Sequence, residues 1–359
     1  MENKNKNLNT AAPDPLRGAR RTFLRLGLAF FVMTALQYAL SYGLSYLASR
    51  CFPEFAATEA YYWLSHCVIL YLISMPAAWL ILRPAPKASA FDKKGGGSRR
   101  SLGAYGWFAA VLISLGLMQL GNYAGNLING MISSLSGHSS YSGLDEMLLS
   151  ANPAAVFAVV VILGPIAEEL VFRKLIIDRI SVHGAGVAAV MSALIFALSH
   201  GNLQQYFYAF ALGLFFSFIY LRTADIKNTV ILHMAMNFIG GFVPTMLLRL
   251  AGGSEEIAAL LEKMAASGTD EGMSEYLSMA YGMYGSLMAL SAWSLTVTAL
   301  GAVGLGMLIA YRRKLTTASC PPAECEIPRA RRGEVMFANA GMLLFIAAMA
   351  AVLAVSFFG

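Results

Sequence analysis

The chain has 359 residues, 57% of them hydrophobic and only 13% charged, with a mean hydropathy of +0.60. That balance excludes an ordinary soluble domain and describes an all-α, polytopic transmembrane helix bundle. The net charge of +6 reports how basic residues divide between the two sides of a bilayer and requires no nucleic-acid partner.

In chain order, residues 1–25 read as a polar, disordered cytoplasmic tail. The apolar run after it is too long for a signal-peptide core and stays as an anchor. Runs free of Asp, Glu, Lys and Arg cover residues 26–49, 60–82, 101–144, 147–167, 181–221, 228–248, 276–311 and 335–359. A crossing needs about 20 apolar residues, so most runs hold one helix. The turn "SHGNLQQ", residues 199–205, divides the run 181–221 into two shorter helices. About nine spans result, with eight as the alternative.

Alternating these spans from a cytoplasmic N-terminus leaves only Arg50, Arg249 and Lys263 outside, as retention of basic residues on the inner side requires. The expected location is the cell membrane, with multiple passes. Residues 26–145 then hold the first helices and a basic loop, 83–101, whose "KKGGGSRR" reads as a flexible linker at the lipid surface. Residues 146–250 form a central core. The segment 251–284 is acidic and extracytoplasmic, with Ile257, Leu260, Leu261 and Met264 at the spacing of an amphipathic helix, and 285–359 hold the last helices.

Cys51, Cys67, Cys320 and Cys325 read as free thiols, because the Cys320–Cys325 spacing is a poor zinc signature without other ligands. His66, His138 and His183 fall near helix ends or in loops and read as solvated. No internal repeat is apparent, which disfavours an inverted-repeat transporter.

Polar residues inside a membrane cost free energy, about 2.5–3.5 kcal/mol for a charge at mid-bilayer, and so ask for a function. Three clusters stand out: "EELVFR" with Glu168, Glu169 and Arg173; "FALSH" with His200; and "HMAMN" with His233 and Asn237. Glu169 and Arg173 are four apart and suit a same-face ion pair. Glu168 lies about 100° around the helix and needs another partner. Glu168 precedes Gly184 by as many residues as His200 follows it. At about 1.5 Å per residue both sit at one depth, so Glu168 is expected to face His200, while His233 comes out shallower.

Structural ion pairing, hydrogen-bonded core histidines and a proton relay through Glu168 in a transporter are the competing readings. A carboxylate with an imidazole can instead deprotonate a water, while a second imidazole with an amide can stabilise an oxyanion. That combination describes peptide hydrolysis. Glu168, His200 and His233 could alternatively hold zinc, so the cofactor is either none or Zn.

The three clusters resemble, in order, the EExxxR, FxxxH and HxxxN motifs of the CPBP family of intramembrane proteases, also called the Abi or type II CAAX prenyl endopeptidase family. The resemblance covers about residues 150–240. It implies a catalytic core in which Glu168 and His200 activate water, His233 and Asn237 stabilise the oxyanion, and Glu169 and Arg173 support the geometry. It also implies a peptide or membrane-protein substrate, lipidated or not. A non-proteolytic scaffold or bacteriocin-immunity protein is the alternative.

Overall fold

The structure is a computed structural model that describes residues 16–91, 102–137, 148–265, 270–315, 320 and 323–358. A chain in hydrocarbon must satisfy its backbone groups within itself, and the described residues form helices and no strands. The principal helices are α1 (Arg17–Cys51), α2 (Glu59–Leu82), α3 (Gly103–Ser136), α4 (Pro153–His183), α5 (Ala185–Leu198), α6 (Leu203–Thr223) and α7 (Ile226–Leu250). They are followed by α8 (Gly253–Ala265), α9 (Asp270–Tyr311) and α10 (Ala340–Phe358).

Eight helices among the described residues are long and apolar enough to cross a membrane, so this is a multi-pass membrane protein. The ninth expected span is α5, whose 14 residues reach only about 21 Å. It need not match the lipid, because Ala188, Met191, Ala193 and Ile195 are completely buried against other helices. The described residues also include α8, at the expected amphipathic segment.

Local chemistry sets the ends of the helices that build the core. Asn152 accepts from the Ala154 amide at 2.9 Å ahead of Pro153, Asn202 accepts from the Gln205 amide at 2.8 Å, and Asp225 accepts from the Lys227 amide at 3.2 Å. These side-chain caps start α4, α6 and α7. Hydroxyls then staple the core: Ser192 donates to the Phe172 carbonyl at 2.7 Å, and Ser217 lies 3.1 Å from Ser192. At the outer flank α1 and α10 cross at Gly27 and Gly341, where any β-carbon would collide with the opposing backbone, so small residues set the approach.

Helix α2 is tied to α4 at both ends. The Glu59 carboxylate accepts from Trp63 Nε1 at 2.8 Å and from the Asn152 amide at 2.7 Å. At the other end Arg179 donates to the carbonyls of Leu82 (3.1 Å), Arg83 (3.3 Å) and Leu175 (3.2 Å), satisfying the orphan acceptors that a helix C-terminus leaves.

Four expectations are corrected. The first helix begins at Arg17, inside the stretch read as a disordered tail, because Ala19 and Phe23 are completely buried. The linker reading fails for residues 83–91: Ala88 donates to the Asp178 carbonyl at 2.7 Å, and Phe91 stacks on Tyr220 at 5.4 Å. Its basic "KKGGGSRR" lies outside the described residues. The boundary at 284 falls within α9, which begins at Asp270. His183 is only 3% exposed, donating from Nδ1 to the Cys325 carbonyl at 3.1 Å under a returning segment whose Cys325 amide bonds to Val182. All four cysteines are free.

Candidate active site

The backbone of the site departs from regular α-helix. Among the described residues, π-type turns occur in four stretches, Cys67–Ser74 in α2, Phe157–Leu163 and Glu169–Leu175 in α4, and Phe238–Phe242 in α7. Their i→i+5 bonding fits more residues into each turn and recurs at functional sites.

Glu169 and Arg173 face inward, both with fully buried side chains, and Arg173 Nε lies 3.3 Å from Glu169 Oε2. The contact is ionic without hydrogen-bond alignment, since no guanidinium nitrogen has a hydrogen-bond partner among the described residues. The guanidinium instead lies over aromatic faces, 4.5 Å from the centroid of Phe196 and 5.8 Å from that of Phe216. A desolvated cation–π contact is worth about 2 kcal/mol or more and offsets part of the cost of burial.

His233, on α7, joins the two glutamates. Its Nδ1 sits 3.0 Å from Glu169 Oε1, and its Nε2 sits 3.6 Å from Glu168 Oε2. The Thr229 hydroxyl, one turn before His233, donates to the Ile226 carbonyl at 3.2 Å and lies near Glu169. Glu168 keeps 23% of its side chain exposed, so it is the open carboxylate of the pair.

The shallower depth expected for His233 is thereby corrected, since it meets both glutamates, while the Glu168 charge also acts on His200. A straight-helix ruler overestimates the height of Glu169, because the chain from Glu169 to Leu175 runs in π-type turns, and two long side chains bridge the remainder. His200 is nonetheless brought to the site: the Phe196 ring meets His200 edge-on at 4.8 Å and His233 edge-on at 5.7 Å. His200 Nδ1 lies 2.8 Å from the Phe196 carbonyl. This places the Nδ1 proton and leaves Nε2 as an acceptor in the neutral ring. Asn237 lies one turn beyond His233, and its Nδ2 donates to the Val160 carbonyl at 2.9 Å.

The zinc alternative does not fit this donor set. Among the described residues no group of three or more His, Cys, Asp or Glu side chains could hold a metal ion. Phe216 and Thr229 are site residues that sequence reasoning passed over, whereas Phe196 belongs to the "FALSH" cluster already noted. Thr229 stands four before His233, so the one-turn spacing that paired Phe196 with His200 could have found it. His66 is also corrected: it lies within α2, partly buried, between the rings of Tyr62 and Tyr71 at 6.2 and 5.9 Å. His138 lies outside the described residues.

Fold and site together define a multi-pass helical membrane protein with a largely buried cluster of two carboxylates, two imidazoles and a guanidinium on α4, α7 and the turn that follows α5. Comparison with known proteins agrees: residues 150–239 match the family model described as "Type II CAAX prenyl endopeptidase Rce1-like". Residues 150–239 are thus similar to the CPBP family, a family of membrane proteases. Among curated proteins it is 33% identical over 107 residues to the membrane-embedded CAAX protease MroQ of Staphylococcus aureus (strain USA300), covering 28% of this chain and 42% of that protein. It is 28% identical over 178 residues to YdiL of Bacillus subtilis (strain 168), a candidate membrane peptidase, covering 47% of this chain and 67% of that protein. The chain thus spans less than half the length of the first of these relatives. No solved structure matches it.

Proposed function

We propose that this chain is an intramembrane endopeptidase that hydrolyses a peptide bond with a water activated by Glu168. The observation that carries the reading is the bridge of His233 between Glu169 (3.0 Å) and the more open Glu168 (3.6 Å). Two carboxylates against one guanidinium leave one negative charge in the cluster, and the His233 imidazole between the carboxylates is placed to offset it. At 3.6 Å the His233 Nε2–Glu168 contact is longer than a hydrogen bond, so neither group is committed to the other and both can turn toward a reacting group.

The reaction follows from that arrangement. Glu168 takes a proton from water, with the His200 ring beside it, and the water oxygen bonds to the peptide carbonyl carbon. The C=O π electrons move to the carbonyl oxygen. His233 Nε2–H and the second Nδ2 proton of Asn237 stabilise that oxyanion. When C=O re-forms, the C–N bond breaks and the proton held by Glu168 passes to the leaving nitrogen. Glu169, Arg173 and Thr229 hold the imidazole of His233 and do not exchange atoms with the substrate.

The substrate in this proposal is a peptide or membrane-protein segment, with prenylated CAAX tails as the first class to try because a relative is named a CAAX protease. The bond is cut on the side of the membrane where the basic loops lie, which the positive-inside rule makes cytoplasmic. The test uses purified protein in lipid nanodiscs and a panel of internally quenched peptides, prenylated at a CAAX end or unmodified. The wild type should cleave at least one and Glu168→Gln should not. Equal cleavage by the two proteins defeats the reading.

A further inference from the structure

The site has a wall outside the segment that the family comparison covers. Helix α2 brings Tyr71 and His66 to the open side of Glu168, close enough for the Glu168 charge to act on both. Tyr71 is partly buried and sits in the π-type stretch Cys67–Ser74, so each of the four π-type stretches lies beside the same cluster. Since α2 is fastened to α4 through Glu59 and Arg179 at opposite ends, this placement is built into the bundle.

Between Tyr71 and Glu168 lies Gly164, which is buried and has an ordinary helical φ of −55°. The backbone therefore does not require glycine there. A methyl group on Gly164 would lie 3.2 Å from Tyr71 Oη, 3.2 Å from the Val159 carbonyl oxygen and 3.9 Å from Glu168 Oε1. The missing side chain leaves a notch bordered by a phenol, a carbonyl and a carboxylate. A bound water needs two to four polar partners of this kind.

We infer that Tyr71 holds the attacking water against Glu168 in the notch that Gly164 keeps open. The phenol O–H donates to the water oxygen, and the water donates one proton toward Glu168 and the other toward the Val159 carbonyl. On attack the water oxygen bonds to the peptide carbon, its proton goes to Glu168, and Tyr71 keeps its own. His66 packs edge-on against Tyr71 and limits its swing. This rests on the hydrolytic reading above and adds α2 to the machinery.

The experiment compares wild type, Tyr71→Phe, Gly164→Ala and Glu168→Gln in nanodiscs on an internally quenched peptide ending in a prenylated CAAX sequence. Tyr71→Phe and Gly164→Ala should each lower kcat by about 10²-fold, the scale of a misplaced reactant, with KM and thermal midpoint unchanged. A merely structural Tyr71 would lower the midpoint or raise KM instead. Gly164→Ala retains the phenol and favours the helix intrinsically, so wild-type kcat in that variant overturns the notch whatever Tyr71→Phe does. If Glu168→Gln alone abolishes cleavage, only this inference falls. If Glu168→Gln cleaves like wild type, the hydrolytic reading falls and takes the inference with it.

Discussion

Helix α4 carries two clusters of acid and base within ten residues of each other, and they are built on opposite terms. At its end, Asp178 accepts from the Tyr220 hydroxyl at 2.7 Å and pairs with Lys87 at 3.4 Å and Lys174 at 3.9 Å, while Arg179 gives its donors to three backbone carbonyls. At the Glu169–Arg173 pair, the buried guanidinium nitrogens have no hydrogen-bond partner among the described residues, and the neighbouring Glu168 remains partly open. The first cluster is a satisfied structural fastening. The second accepts an electrostatic cost that packing alone does not explain, and unsatisfied buried polar groups of this kind are where chemistry is expected.

Substitutions can break that contrast. The largest effect on stability is expected at Arg173: Arg173→Leu leaves Glu169 as an uncompensated buried charge and should cost about 3–5 kcal/mol. Pairing it with Glu169→Leu should recover much of the loss, as a double-mutant cycle by denaturant titration in mixed micelles would reveal. Additive losses would mean that the two side chains do not share an interaction. Next, Glu168→Gln should lower kcat by about 10³-fold, within the range for a general base, while leaving the unfolding midpoint in place. A large drop in the midpoint would return Glu168 to the structural class.

The satisfied cluster should respond in the reverse sense. Tyr220→Phe removes a hydrogen bond to a buried carboxylate and should cost about 1.5–3 kcal/mol in the same titration, with KM and kcat unchanged. A change in kcat at constant stability would show that the two ends of α4 are coupled.

Much of this architecture was legible in the residues because hydrocarbon admits few solutions. The apolar runs gave the helices, and the one-turn spacings of Glu169 with Arg173 and of His233 with Asn237 placed each pair on a common helix. What was not legible has two physical causes. The π-type turns change the rise along α4, so counting residues could not bring His233 to Glu169. Contacts between distant elements leave no local pattern, which is why Asp178 with Tyr220, the buried His183 and the approach of Tyr71 to Glu168 appear only in the fold.

The smallest effect is expected at Lys87, and it is informative for that reason. Its ammonium lies 3.4 Å from Asp178 but its side chain is 38% exposed, so solvent screens the pair and the side chain loses entropy in holding it. Asp178 also retains Tyr220 and Lys174 when Lys87 is removed. Lys87→Ala should therefore cost less than about 1 kcal/mol, shrink further at high salt, and leave kcat untouched. A loss as large as that of Tyr220→Phe would mean that the chain between Arg83 and Phe91 is held by this ion pair. The backbone bond from Ala88 to Asp178 and the stacking of Phe91 on Tyr220 would then be secondary, and the end of α4 would owe its stability to charge rather than to satisfied hydrogen bonds and packing.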